Sequence, residues 1–286
     1  MRFAHPMQKV QDWLTQQWVI LRGRKIHPSE YSWLVGPFGN PEAIGEDFIR
    51  QLAEREKLTM EREAKTRGLI PSMDILNLSE SERSGLARPV VDFYEHTADY
   101  DLYFSVKWNP VFRVFGVLIR RLFSNRLRQL NIPTKNSGGP QELKSELITL
   151  ADPDDQRPGY TFWVRSIRST GERIYSGVYG TSALPSGKAC IKAVFPLPNG
   201  NATVLMTPGV GPEGALVLDA SGQQFGDAGF YFLLKDAKGE YWAQYIKSFR
   251  DRLTVRSGED GLSAEQVITL GHREVLRFHY KIEKKG

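Results

Sequence analysis

The chain has 286 residues and a mass of 32.5 kDa, a length typical of two average domains or one large one. Its 41% hydrophobic, 11% aromatic and 25% charged residues exclude disorder, collagen and coiled coil as descriptions of the whole chain. Cys190 is the one cysteine, so no intrachain disulfide can form. No apolar run approaches the roughly 20 residues of a spanning helix, and the N-terminus lacks the apolar core of a secretory signal. The expected location is the cytoplasm, with peripheral contact to a membrane kept open.

The net charge of +5 comes from one segment of the chain. Between Leu102 and Gln141 there are seven basic residues and no acidic one, so the remainder carries a net charge of −2. A local concentration of this kind indicates an anionic partner more strongly than the overall pI near 9.2 does.

Residues 1–140 are predicted to be mainly helical. In chain order, the predicted elements are helices over residues 7–22, 40–68 and 89–98, a strand over 100–106 and a helix over 109–130. The first helix places Leu14, Trp18 and Leu21 on one face. The second begins with a capping asparagine and a proline, and Gly68 is its expected C-terminal stop.

Residues 141–286 are predicted to be antiparallel β-structure. Short apolar stretches between turn signals predict strands over residues 143–150, 159–168, 173–181, 188–195, 202–207, 215–219, 229–235, 240–249, 252–256, 266–270 and 274–282. The turn signal from Asp236 to Gly239 lies between two aromatic-rich strands and predicts a hairpin. The expected fold class is α+β, with N-terminal helices packed on a C-terminal curved antiparallel β-sheet or barrel in one continuous structural unit.

The predicted helix at residues 109–130 is amphipathic and basic. Four arginines share one side of it, opposite an apolar arc: Arg113, Arg120, Arg121 and Arg128. One interpretation is anion or membrane binding, in which the arginines contact anionic headgroups and the apolar arc enters the acyl boundary. The alternative is a structural helix with a solvated arginine face. Nucleic acid is disfavoured as a partner because the sequence has no zinc-finger, RRM or KH pattern.

His96 belongs to the densest group of ionisable residues. The spacing i, i+3, i+4 and i+7 places four of them on one helix face: Asp92, Glu95, His96 and Asp99. A carboxylate one turn from an imidazole fixes its tautomer and raises its basicity, so His96 is a candidate catalytic base with Asp92 or Asp99 as its orienting residue. The alternative is a solvated helix face. One histidine among carboxylates is not a metal-ligand set, and no metal or other cofactor is predicted.

Two further patterns are interpreted as structural. Cys190 shares a strand face with Lys188 and Lys192 and is expected to be a half-exposed thiol. Residues 209–214 match G-x-G-x-x-G, but a strand follows them where a dinucleotide site requires a helix, and Pro212 interrupts. This pattern therefore predicts a turn.

The leading hypothesis is a binding protein for a lipophilic small molecule or lipid, associated with anionic membrane surfaces through the basic helix. The first alternative is an enzyme on a lipophilic substrate that uses His96 as its base. The second is a structural or partner-binding protein with a filled core. A large apolar cavity in the β half favours binding, a cavity into which His96 points favours catalysis, and a filled interior excludes both.

Overall fold

The structure is a computed structural model that describes residues 10–39, 46–62, 67–112, 139–154 and 158–285. The α-helices of this part are α1 Val10–Arg22, α2 Glu46–Glu56, α3 Glu80–Gly85 and α4 Arg88–Glu95. The strands are β1 Arg24–Ile26, β2 Thr59–Arg62, β3 Tyr100–Trp108, β4 Gln141–Ala151, β5 Pro158–Ile167, β6 Arg173–Ala183, β7 Ala189–Leu197, β8 Gly200–Val210, β9 Leu216–Asp219, β10 Gly229–Lys235, β11 Tyr241–Tyr245, β12 Phe249–Gly258, β13 Gly261–Leu270 and β14 Arg273–Lys284.

Ten of these strands close into an antiparallel barrel in the order β8-β7-β6-β5-β4-β3-β14-β13-β12-β9. The ring closes where β9 pairs with the second half of β8, from Thr207 opposite Asp219 to Val210 opposite Leu216. Closure pairs both end strands of the sheet, which stabilises an all-antiparallel structure. The predicted antiparallel β-structure is therefore confirmed, and of the two predicted forms, sheet or barrel, it is the barrel. The described part of the chain is mostly β, and its few helices are mainly N-terminal.

Strand β8 also carries a branch. Along the edge that meets β9, its first half pairs with β10, from Gly200 opposite Leu234 to Leu205 opposite Gly229. Strand β11 pairs with β10, and β1 pairs with β11, so three strands extend away from the barrel. The antiparallel pairing of β10 with β11 confirms the predicted hairpin.

Strand β3 shows how a barrel strand is encoded. Alternate residues, Tyr100 to Trp108 in steps of two, are buried, while the residues between them retain solvent exposure. The strand pairs with β14 on one side and β4 on the other. Residues before position 140 therefore contribute to the barrel. The division of the chain into a helical part, residues 1–140, and a β part, residues 141–286, stays a prediction.

The N-terminal segments cover the outer face of one sector of the barrel. Helix α2 packs Phe48 and Leu52 against strands β4 to β7. The loop before it buries Trp33 and Leu34 against β7, β8 and β10. Helix α1 packs Val19 and Ile20 on β10 and β11. Strands in this sector are buried on both faces, which explains their continuous apolar sequences.

This cover corrects the prediction for Cys190, whose side chain is fully buried beneath the loop instead of half exposed. Burial raises the pKa of its thiol to about 11, despite the neighbouring Lys192 charge. The Lys192 side chain is partly buried, which lowers its pKa to about 8, and its ammonium donates a hydrogen bond to the carbonyl of Val35. The exposure of this face of β7 depends on the loop that covers it, and the sequence of β7 itself does not show that cover.

The predicted second helix is shorter than expected. It ends at Glu56, and Lys57 follows with φ of 58°. Residues Thr59–Arg62 then form β2, which pairs with β4. Gly68 is therefore not a helix stop; a Cβ there would lie 2.1 Å from the carbonyl oxygen of Tyr94, so the chain needs glycine for a close backbone approach. The second half of the predicted helix is polar, and a polar sequence of this kind can form an exposed strand as well as an exposed helix.

The turn between β10 and β11 provides a test of the hairpin. Asp236 accepts hydrogen bonds from the backbone N–H groups of Lys238 at 2.8 Å and Glu240 at 2.9 Å, and from the indole of Trp242 at 3.0 Å. Burial alone would raise the pKa of this carboxyl, but these hydrogen bonds hold it below its ordinary value. One buried indole and two partly buried backbone N–H groups therefore depend on this one side chain.

We expect Asp236→Ala to lower the free energy of unfolding by about 3 kcal/mol, because the buried indole of Trp242 and two backbone N–H groups lose a charged acceptor. Urea denaturation followed by tryptophan fluorescence measures this change. The matched control is Asp260→Ala, at the exposed turn between β12 and β13, with an expected change within about 0.5 kcal/mol. Equal, small losses for both variants would contradict this account of the turn.

Candidate functional site

The barrel interior contains a cavity of about 630 Å³. This volume lies within the roughly 300–1,000 Å³ typical of small-molecule sites. Aromatic and aliphatic side chains from both the barrel strands and the β10 branch form most of the wall, among them Phe104, Trp163, Tyr179, Phe195, Phe230, Phe232, Phe249 and Phe278. Phe195, Phe230 and Leu253 remain partly accessible although they pack against the main core, because they face this space.

Helix α1 contributes to the wall and to the protein surface at the same time. Leu14 and Trp18 line the cavity and are nevertheless 56% and 41% exposed. The Trp18 ring meets Phe232 edge to face at 5.9 Å between centroids. Side chains that line the cavity and are also exposed to solvent mark its rim, so α1 lies at an opening of the cavity.

Arg165 is a charged group on this apolar wall. It lies on β5, and its Cζ is 4.3 Å from the ring centroid of Trp163 and 4.2 Å from that of Tyr175. The ring of Tyr280, from β14, lies 5.6 Å away. These distances are within the range of cation–π attraction. The guanidinium is thus held between aromatic rings of its own strand, of the neighbouring β6 and of β14.

Asp251 is an acidic group in the same cavity, and it is 4% exposed. The side-chain amide of Gln266 donates to both carboxyl oxygens, at 3.0 and 2.8 Å. Burial raises the pKa of Asp251 to about 7; the Gln266 hydrogen bond opposes this shift, and the nearby Asp219 charge adds to it. Asp251 therefore changes charge near neutral pH inside an apolar space.

The tyrosine hydroxyls of the interior stay neutral. Burial raises the pKa of Tyr175 to about 12 and that of Tyr179 well above its ordinary value. Tyr179 hydrogen bonds to Tyr94 of α4, which also lines the cavity. Burial likewise raises the pKa of Tyr280, although the adjacent Arg165 lowers it in part. The neutral phenols of Tyr175 and Tyr280 can donate hydrogen bonds to a bound molecule.

The structure brings His96 and Asp92 together. The Nδ1 atom of His96 lies 3.1 Å from Asp92, whose other carboxyl oxygen accepts hydrogen bonds from Tyr100 and from Lys284 at 3.1 Å. The Tyr100 hydrogen bond is the largest cause that lowers the pKa of Asp92, against the opposing effect of burial. The pair is at the surface, and His96 is not among the residues that line the cavity.

Asp99 does not continue the face that the sequence predicted. Helix α4 ends at Glu95, His96 caps it with φ of −135°, and Thr97–Asp99 forms a separate 3₁₀ turn. The Glu95 carboxylate instead accepts a hydrogen bond from the backbone of Met73 at 2.7 Å. The continuous helix that the spacing required is thus absent, while the catalytic role of His96, Asp92 and Asp99 stays a prediction.

The predicted basic helix lies mostly outside the described residues, and so do its four arginines: Arg113, Arg120, Arg121 and Arg128. Its first residues form a 3₁₀ turn, Pro110–Phe112. Asn109 precedes this turn; its side chain accepts from the N–H of Val111 at 3.1 Å and donates to the carbonyl of Glu274 at 2.9 Å. Phe112 packs against the main core, while Val111 is exposed.

In the described ranges, no three His, Cys, Asp or Glu side chains are grouped so as to hold a metal ion. In the same part of the chain, no helix combines the length and apolarity needed to cross a membrane. Gly209 and Val210 end β8, and the expected turn follows at residues 211–214, with Gly214 at φ of 71° against the backbone of Ala87.

Sequence reasoning missed the polar groups of the cavity. A signal for Arg165 exists: it shares a strand face with Trp163 and Ile167, so a charged residue interrupts an apolar face. Asp251 stands between Arg250 and Arg252 and looks like part of a charged surface. Nothing local indicates that it is buried.

Asp251 generates a pH prediction. The folded state keeps this proton up to about pH 7, whereas an unfolded carboxyl releases it near its ordinary value of 3.8. Because the folded state binds the extra proton, the free energy of unfolding falls as the pH rises through this window. Asp251→Asn cannot titrate, so its free energy of unfolding should not show this fall. Relative to wild type, the free energy of unfolding of the variant should therefore rise by about 2 to 3 kcal/mol between pH 5 and pH 8.

Urea denaturation at the two pH values measures this difference. Asp260→Asn, at an exposed turn, is the matched control and should show no such pH-dependent gain. A difference between Asp251→Asn and wild type that is the same at both pH values would show that Asp251 titrates normally.

Comparisons with known proteins give one partial similarity. No known protein family matches the chain, and no solved structure matches it. A Bacillus subtilis protein described as "Uncharacterized membrane protein YndJ" is 26% identical over 165 residues, which cover 58% of this chain and 28% of that protein. The chain thus aligns with less than a third of that relative's length. An identity and coverage of this size relate the two sequences without assigning a family.

Proposed function

We propose that this protein binds a lipophilic small molecule or lipid inside its barrel. The observation that carries the proposal is the cavity of about 630 Å³ with walls of aromatic and aliphatic side chains. Apolar surface that faces water inside a barrel is stabilised when a lipophilic molecule displaces the water. The exposed apolar side chains of α1 at the rim support the proposal, because they offer a route between solvent and interior.

The position of His96 supports binding over catalysis. A general base must reach the proton that it removes, within about 3 Å or through one water. His96 is absent from the cavity lining, so a molecule held in the cavity would not meet it. The enzyme alternative would need a substrate at the protein surface beside Asp92.

Uptake of Nile red, a neutral dye that brightens in apolar surroundings, tests the proposal. We expect a saturable rise in emission with wild type. Ala193 of β7 lines the cavity, and Ala193→Phe puts a ring into that space, so the dye affinity should fall about tenfold or more. The free energy of unfolding should fall by no more than about 1 kcal/mol, because open volume receives the ring.

The matched control is Ala237→Phe, which adds the same ring at the exposed turn between β10 and β11 and should bind the dye like wild type. No saturable uptake by wild type would refute the proposal. Equal affinities for wild type and Ala193→Phe would place the dye outside the barrel.

We also propose peripheral contact with anionic membranes. Two observations support it: α1 exposes Leu21 at 79% beside Trp18, and the Bacillus subtilis relative is described as a membrane protein. The four arginines at 113, 120, 121 and 128 would supply the electrostatic attraction. Each basic residue near an anionic surface contributes about 1 kcal/mol, so four give roughly 4 kcal/mol that salt weakens.

Sedimentation with anionic and neutral vesicles at low salt tests this contact. We expect binding to anionic vesicles alone, its loss when all four arginines are changed to Gln, and a weaker effect of Leu21→Ser. Arg256→Gln, on an exposed residue of β12, is the control for a change in charge. Equal partitioning to both vesicle types, or to neither, would refute the proposal.

A further inference from the structure

Arg165 has a hydrogen-bond donor that the protein leaves unused. Its Nε–H is buried, and among the described residues no acceptor lies within hydrogen-bond distance of it. The faces of aromatic rings and a hydrogen bond to the Tyr280 hydroxyl meet the charge of Arg165, but neither gives the Nε–H an oxygen acceptor. A buried charged group with an unsatisfied donor destabilises a protein. Such a group in a ligand-sized cavity indicates that the missing acceptor belongs to the ligand.

The fold holds this guanidinium in place. Arg165 pairs with Tyr175 across β5 and β6, but Ser166 pairs with Arg173, so the register shifts directly after the arginine. A bulge of this kind aims a side chain and is frequent beside functional sites. On the same face, the indole of Trp163 donates to the hydroxyl of Ser145 at 2.8 Å, which fixes the ring that contacts the guanidinium. The charge is therefore positioned before any ligand arrives.

The charge balance of the cavity indicates the charge of the ligand. Asp251 lines the same cavity, but Gln266 binds both of its oxygens. Burial raises the pKa of Asp251 to about 7, so this carboxyl carries little charge below neutral pH. Arginine is always protonated. Below neutral pH the interior thus has an excess of one positive charge, which a ligand with a single negative charge would balance.

We infer that the ligand is a lipophilic carboxylic acid, whose carboxylate accepts hydrogen bonds from the Nε–H and the adjacent Nη–H of Arg165 while its hydrocarbon part fills the apolar cavity. A planar carboxylate matches this edge of a guanidinium with two parallel hydrogen bonds. The tyrosine hydroxyls of the wall, including that of Tyr280, are neutral donors near the same charge. This inference rests on the binding function proposed above and names the class of its ligand.

Isothermal titration calorimetry with palmitate and with hexadecanol, its uncharged counterpart, tests the inference. We expect wild type to bind palmitate at least about tenfold more tightly than hexadecanol, since charge-assisted hydrogen bonds contribute only to the acid. Arg165→Gln should lose this preference and keep the affinity for hexadecanol. Retained hexadecanol binding shows that the variant cavity is intact.

Two further variants sharpen the result. Arg168→Gln removes an arginine just beyond β5 that pairs with Asp101 and Glu142 at the surface, so it should bind both compounds like wild type. Arg165→Lys keeps the charge without the planar edge and should bind palmitate with intermediate affinity. If Arg165→Gln does not fold, the palmitate affinity of Arg165→Lys tests the inference: a value equal to that of wild type would overturn it.

The outcomes separate the two proposals. Equal affinities of wild type for palmitate and hexadecanol, or unchanged palmitate affinity in Arg165→Gln, would overturn the carboxylate inference and leave lipophilic binding standing. Absence of palmitate and hexadecanol binding with retained Nile red uptake would also overturn the inference alone. Absence of all three would overturn the binding function itself.

Discussion

The hydrogen-bonded edge of β8 that two different strands share is the constraint on which the rest of the structure depends. Strand β9 takes the second half of this edge and closes the ten-strand barrel, while β10 takes the first half and leads β11 and β1 away from it. Where β9 and β10 separate, no ladder of backbone hydrogen bonds joins them, so side chains must close the barrel wall. Phe230 and Phe249 meet there at 4.8 Å between ring centroids. The interior beside this seam stays open as the cavity.

The covered outer face explains how such an interior is stable. Helix α2 and the loop around Trp33 bury the outside of several strands, and α1 covers β10 and β11. These contacts supply apolar burial that does not depend on a filled barrel. The inner face can therefore keep accessible aromatic surface and two ionisable groups, Arg165 and Asp251. The same α1 that stabilises the branch also forms the rim of the cavity, so stability and access depend on one element.

Local signals carried most of the secondary structure. The eleven strands predicted after residue 140 all occur in the structure, because alternation and turn residues act within a few positions. The prediction failed where a distant segment decided the outcome. Thr59–Arg62 is a strand because β4 pairs with it, and Cys190 is buried because the loop near Val35 lies over it. The face shared by Trp163 and Arg165 could be read from the sequence, but the space in front of it could not.

The sequence by itself determined an antiparallel β-structure with N-terminal helices, the hairpin around Asp236 and a turn in place of a dinucleotide site at residues 209–214. These features follow from periodicity, capping and turn chemistry, which are properties of neighbouring residues. Only the tertiary structure decided that the sheet closes, that a cavity remains inside it, and that Asp251 of β12 and Arg165 of β5 face the same cavity. Strand order and closure depend on which edges pair across long separations in the chain, and no local pattern encodes that choice.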